Sequence, residues 1–465
     1  MRRGRNLREH RSKTIKRKVL SIAERRKLAQ QRVLRAKGKK KTVIDNRPKA
    51  PKEEDKEEKE PSESLHSQRQ RIAQDRARKI RQRRLKDVKT KKRDRDYSKL
   101  PACQPLNLGD FQAFDKYSYT SRPVKVCHVI ESYGLGGAQT MMLELVNGLN
   151  AYFGDHIQNY TLAVNRKRQA QNRMTRSYGV EAHSVAFDNF RKYLKEKEID
   201  IVLHHRIAIS KCLKSLMPKG VKYILLNHTW NGLQKMQQFY ECDVYLSVCK
   251  FLHKKTRWHS FIHDTRRRII LNGVENKYLD DIEAKTLAGD FATGRCHRCV
   301  SAKFRSDSLV WLDRKIARHM PGFSHYLLGT NKYAKQLSAK YKWFNYMGSI
   351  DNRQKKMSYI KGMDVYYYET YQDEGASIAI LEALSCGVPV LAKPLGGTPE
   401  LVTNGINGFH CKDPDLFVLR LQQLNSNRKF LKEIIAKTKD DFEKRLHVKH
   451  TASKYAQLFE AIIAE

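Results

Sequence analysis

The chain has 465 residues, 40% of them hydrophobic, which is room for two or three domains with real cores. Its formal charge is +43, from 92 Lys+Arg against 49 Asp+Glu, and this points to a polyanionic neighbour such as nucleic acid, anionic lipid or a phosphorylated glycan. No run of about 18 apolar residues and no apolar leader segment is present, so neither a transmembrane helix nor a secretory signal is expected.

The charge is uneven along the chain. Residues 1–100 hold 38 Lys+Arg against 14 Asp+Glu, and the remaining 365 hold 54 against 35. The first hundred residues lack sustained hydrophobic periodicity. They alternate basic clusters such as Lys37–Lys41 with one acidic island, Glu53–Glu60. Ser21–Arg35 and Ser67–Lys89 have the composition of basic helices. Their apolar stripes are thin, so the expectation is a tail that is largely disordered, or helical only on a partner. Residues 101–122 read as a linker.

From Pro123 the pattern becomes that of a packed domain. Val124–Ile130 reads as a buried strand, followed by Gly134, Gly136 and Gly137 and then by apolar residues at helical spacing from Thr140 to Leu149. Ile199–Leu203, Tyr223–Leu226, Val244–Val248 and Ile269–Leu271 read as further strands. The pattern then restarts: Leu309–Ile316 as a helix, and His325–Gly329, Phe344–Met347, Val365–Tyr368 and Val388–Ala392 as strands. Gly375–Leu384, Phe417–Leu424, Phe430–Lys437 and Ser453–Ala464 read as helices. Alternation of this kind predicts an α/β protein with two parallel-sheet domains, 123–280 and 281–440, and a terminal helix in 441–465. The nine cysteines are scattered, and those in apolar runs, such as Cys127 and Cys386, read as buried thiols of a reducing, cytoplasmic compartment. Cys296-His297-Arg298-Cys299 has one ligand pair and lacks the second pair that a zinc site needs.

The densest chemical signal lies between Asp364 and Gly408. A strand gives way to a polar loop carrying Glu374, and Gly375, Ala376, Ser377 and Ile378 open a helix whose free N–H groups suit a phosphate. Glu382 follows eight residues after Glu374. Gly387 and Pro389 lead into the next strand, and Gly396, Gly397, Pro399 and Glu400 form a second turn close to a ligand. An isolated helix glutamate is usually only solvated. The complete string, through Asn407-Gly408-Phe409, resembles the family-4 retaining glycosyltransferases of the GT-B fold (glycosyl transferases group 1).

The resemblance implies two Rossmann-like domains facing a cleft, with the donor nucleotide sugar held by the second. It places Glu382 on the donor ribose and Glu374 against the transferred sugar. Gly136 and Gly137 fall on the first cleft loop. His228 is the preferred active-site histidine, with His204 and His205 as the alternatives, and Asn272-Gly273-Val274 is a structural turn. The family's phosphate-binding Arg and Lys, five residues apart, match Arg298 and Lys303, with Arg295 a rival for the first role. Two cations there would offset the charge of a departing diphosphate without a metal or other cofactor. The expected reaction moves a sugar from a nucleoside diphosphate to an acceptor hydroxyl, with retention. A polyanionic acceptor is expected from the charge, either a modified nucleic-acid base of, for instance, a viral genome, or a phosphorylated glycan or lipid at an anionic membrane surface. The competing reading is a nucleic-acid-binding protein, DNA or RNA held by residues 1–100, whose transferase fold is secondary or inactive.

Overall fold

The computed structural model describes residues 109–133, 136–164, 173–206, 213, 216–229, 242–257, 266–296, 316, 320–329 and 332–465. The basic tail, the expected helix at Leu309–Ile316 apart from its last residue, Gly134, Arg298 and Lys303 lie outside them.

Two wholly parallel sheets organise the described residues. The first has seven strands in the order β3-β2-β1-β4-β5-β6-β7: β1 Val124–Ile130, β2 Ile157–Val164, β3 His183–Val185, β4 Ile201–Arg206, β5 Lys222–Asn227, β6 Val244–Ser247 and β7 Arg267–Ile269. The second has six in the order β10-β9-β8-β11-β12-β13: β8 Phe291–Cys296, β9 Phe323–Leu328, β10 Phe344–Gly348, β11 Val365–Tyr368, β12 Val390–Ala392 and β13 Gly408–His410. Each sheet reverses its strand order once, between β1 and β4 and between β8 and β11. In open α/β sheets such a reversal opens a crevice outside the carboxyl ends of the strands.

The strand sequences account for this arrangement. β1, β11 and β12 are nearly continuous apolar runs, buried on both faces as parallel strands must be. One hydrophobic cluster runs through both sheets. It joins Val126, Leu203 and Leu246 of the first to Tyr366, Val390 and the helix Ile378–Ser385 of the second. The last helix, Val448–Ala464, returns to the first sheet and packs along the helix Gly137–Phe153. Val274 and His447 pair as a short parallel bridge at that crossing, and a side chain on Gly273 would meet Thr451 Oγ1 at 2.6 Å. Asn272-Gly273-Val274 therefore sits where three segments meet.

Candidate active site

The chemistry expected from the sequence gathers at the carboxyl ends of the strands. β11 ends in Tyr368, and its hydroxyl donates to Glu374 Oε2. Ser377 Oγ donates to the same tyrosine oxygen at 3.0 Å. The helix after the loop begins at Ile378, three residues later than expected, with Ser377 at its N-cap. Gly375 and Ala376 remain in the loop, and Ala376, Ile378 and Tyr368 are buried. The second turn fixes the same loop from below. Gly397 N donates to the Glu374 carbonyl at 2.9 Å, and any Cβ on Gly396, which has φ +60°, would collide with the Glu374 backbone.

Glu382 is 5% exposed on the helix Ile378–Ser385. One of its oxygens accepts from Lys356 Nζ, on the helix Arg353–Lys361. Burial opposes the lysine's charge, yet Glu382 beside it holds the ammonium above its ordinary range. A buried carboxylate is tolerable on such terms, because a paired charge avoids most of the desolvation cost of a lone one. Three residues away on the same helix, Arg353 reaches across to the first sheet's helix. Its Nη2 lies 2.5 Å from Glu144 Oε1. The guanidinium is also sandwiched between Tyr178 and Tyr278, 4.1 and 3.6 Å from the ring centres. Lys356, Glu144 and Arg353 carried no sequence signal; a helix reading Arg353-Gln354-Lys355-Lys356 does not show which cation turns inward.

On the first sheet, His228 follows β5 directly and is half-buried. A Cβ on Gly375 would stand 2.8 Å from the His228 carbonyl oxygen and 2.8 Å from Leu252 Cδ1. This glycine thus lets the Glu374 loop pack against the backbone at the end of β5. His205 of β4 lies next to His228, with ring nitrogens 3.3 Å apart. Burial presses His228 down to about 3 and holds His205 well below its usual value, so both are neutral near pH 7. His204 faces elsewhere: its Nδ1 is 2.8 Å from Tyr223 Oη. Alternation along β4 separates the two histidines onto opposite faces, and only His205 joins His228.

The remaining expected residues divide. Gly136 is the extended N-cap of the helix Gly137–Phe153 and accepts from Thr140 N at 3.0 Å; Gly137 has open space where a Cβ would go. Glu400 caps a helix of the other sheet's domain, accepting from Lys250 N at 2.7 Å and Phe251 N at 2.9 Å. Arg295 is fully buried in β8, its guanidinium 5.6 Å from the Tyr367 ring centre. On this strand the Cys296 N–H donates to the Tyr366 hydroxyl at 2.7 Å, and the Cys296 side chain packs against the cluster that runs through both sheets. Arg295 points to the opposite face, into the cluster containing Phe291 and Phe417. Arg298, the other candidate for the phosphate, lies outside the described residues. A further charged pair was unexpected. Glu369, buried just past β11, accepts from Tyr367 and Tyr371 hydroxyls at 2.9 Å each and is 3.2 Å from Lys393 Nζ. Among the described residues, no cluster of His, Cys, Asp and Glu is arranged to hold a metal ion, and no helix is long and apolar enough to cross a membrane.

Comparison with known proteins agrees with this fold. Residues 327–441, spanning Lys356, Glu374 and Glu382, match the family described as glycosyl transferases group 1. The chain is 24% identical over 244 residues to an uncharacterized glycosyltransferase of Methanocaldococcus jannaschii, covering 48% of this chain and 60% of that protein. It thus spans less than two thirds of that relative's length. Among solved structures, Anabaena HepE in complex with UDP-glucose superposes with a TM-score of 0.55 at 14% identity, over 72% of this chain and 99% of that one. The pneumococcal O-GlcNAc transferase GtfA in complex with UDP and GlcNAc gives 0.59 at 8% identity, over 74% of this chain and 100% of that one. The chain therefore has the two-sheet GT-B fold and carries the domain of the group 1 glycosyl transferases.

Proposed function

We propose that the protein transfers a sugar from a nucleoside diphosphate sugar to an acceptor hydroxyl. The observation that carries this reading is the packing of the Glu374 loop against the backbone at the end of β5, where Gly375 meets the His228 carbonyl, with Glu382 buried on the helix that follows. Glu382 presents a carboxylate suited to the two hydroxyls of a ribose, paired with Lys356. Uridine diphosphate sugars are the donors this reading favours, because structural neighbours were solved with UDP-glucose and with UDP and GlcNAc. The sugar C1–O bond to the diphosphate breaks with its electron pair on the phosphate. The acceptor oxygen bonds to C1, and its proton leaves with the diphosphate.

In this reading the first N–H groups of the helix Ile378–Ser385 stabilise the growing phosphate charge, the contribution preorganised dipoles make in a water-poor site. Arg298 and Lys303 are proposed as the accompanying cations, in place of a metal. Retention of configuration is part of the same proposal and rests on the family resemblance. The positive balance of residues 1–100 and of the body supports a polyanionic acceptor or surface. A panel of nucleotide sugars, followed by release of nucleoside diphosphate with and without DNA and with and without anionic vesicles, tests donor and acceptor class together. Unchanged transfer by Glu382→Ala would sink the assignment of the donor site.

A further inference from the structure

Behind His228 stands a chain of side chains that the transfer reaction above does not use. Asn159 Oδ1 lies 2.9 Å from His128 Nε2. His128 Nδ1 lies 3.2 Å from His205 Nε2, and His205 Nδ1 lies 3.3 Å from His228 Nε2. The rings of His205 and His228 are stacked, with centres 5.5 Å apart and planes 16° from parallel. The four residues come from β2, β1, β4 and the end of β5, which are neighbours in the sheet order.

The direction of every hydrogen bond in this chain follows from its far end. Asn159 Nδ2 faces the Ile157 carbonyl at 3.3 Å and Asn150 Oδ1 at 2.8 Å. A backbone carbonyl only accepts, so the nitrogen of the amide is on that side and the oxygen faces His128. His128 Nε2 must then carry a proton. His128 and His205 are fully buried and neutral near pH 7, and a neutral imidazole has one donor and one acceptor. His128 Nδ1 therefore accepts from His205 Nε2–H, and His205 Nδ1 accepts from His228 Nε2–H.

We propose that Asn159, His128 and His205 are positioning residues that hold His228 as the Nε2–H tautomer, so that it offers the Nδ1 lone pair to a substrate hydroxyl. The last step rests on the reading of His228 as part of the transfer site; the tautomer itself does not. Reversing the chain would set a His128 lone pair against the Asn159 oxygen, two acceptors face to face, and that opposition keeps a single direction over four residues.

The test uses the full chain with 15N-labelled histidine at neutral pH, its ring signals assigned from single histidine variants. Long-range ring-proton to nitrogen spectra should show His128, His205 and His228 all protonated on Nε2. A proton on Nδ1 of His228, or an imidazolium at any of the three, would overturn the proposal. Asn159→Leu removes the anchor, so part of the His228 population should move to Nδ1–H. Turnover should then fall by the same factor as the Nε2–H population, with the donor KM unchanged. Asn159→Asp keeps an acceptor at that place, so His128 should keep its proton on Nε2, which separates direction-setting from packing. Asn159→Leu with unaltered tautomers refutes the role of Asn159. Normal turnover in His228→Ala alongside the expected wild-type spectrum would instead overturn the transfer role of His228 and leave the tautomer relay standing.

Discussion

Arg353→Met separates the buried pair that ties the two sheets. Glu144 is 1% exposed and the Arg353 side chain 10%, so neither charge is rescued by water when its partner is lost. Removing one member of such a pair costs roughly 3–5 kcal/mol, against about 0–1 kcal/mol for an exposed pair. The stacking of Arg353 between Tyr178 and Tyr278 is lost at the same time, adding about 0.5–2 kcal/mol. Met keeps the stem's packing, which limits the change to charge. One partner remains to Glu144, the Glu275 N–H at 3.0 Å, so the low end of the range applies. Burial already holds the Glu144 carboxyl above its ordinary value, and Arg353 is the main force opposing that rise. Without Arg353 the carboxyl rises further. A carboxyl whose folded value lies above its unfolded one favours folding most below the unfolded value and loses that contribution as pH rises through the folded one. The defect of Arg353→Met should therefore be largest near neutral pH and shrink on acidification. Urea titrations at several pH values measure it. Glu144→Gln with Arg353→Met should recover much of the loss, since no buried charge then stands alone. A loss of about 1 kcal/mol or less that is independent of pH would refute the reasoning.

Gly375→Ala drives a Cβ toward the His228 carbonyl and Leu252. It should cut transfer by about 10- to 100-fold, because ångström-scale displacement of a site loop has that effect; activity assayed beside an unchanged thermal midpoint would show it. Glu382→Gln removes the charge facing Lys356 and the stronger acceptor for ribose hydroxyls, so donor KM should rise about 10- to 100-fold with a smaller change in kcat. Glu400→Ala strips the cap from the helix Lys250–Arg257 and should cost about 0.5–2 kcal/mol, with faster amide exchange at Lys250 and Phe251. His128 sits at about 4, and His205 well below its usual value. A histidine whose folded value is depressed supports folding above its unfolded value and withdraws that support as pH falls below about 6.5. Stability should then drop with acid below that point, by about 1.4 kcal/mol per pH unit for each ring, and His128→Leu should flatten the slope in urea titrations.

Much of the fold was legible because parallel strands buried on both faces are written as apolar runs. Val124–Ile130 and Val365–Tyr368 form strands with the bounds read from the sequence. β2 escaped notice because Gln158, Asn159 and Tyr160 interrupt its first half, and Asn159 is there to meet His128. β8 is absent from the strands read in the sequence because its core-facing positions include Thr293 and Arg295, both buried. β13, three residues long, is too short to show a period. At the site, Glu374 and Glu382 were marked by the string from Asp364 to Gly408 that carries the family resemblance. Lys356 and Glu144 were not, since each is set by tertiary approach rather than by its neighbours in the chain. His205 ranked behind His228, and His128 was unread, because a histidine inside a strand looks the same whether it packs or passes a hydrogen bond.

The return of Val448–Ala464 to the first sheet orders events during synthesis. The helix Gly137–Phe153 is made early, yet the residues that cover its flank emerge last. Gly148 lets Val448 and Ala452 press against its backbone, with a Cβ there only 2.6 Å from Val448 Cγ2. While some 300 residues between them are being translated, Leu145 and Leu149 lack the partners that bury them in the finished molecule. The first sheet is thus an N-terminal structure with a C-terminal seal, and a ribosome stalled before Val448 holds a nascent chain with that flank open.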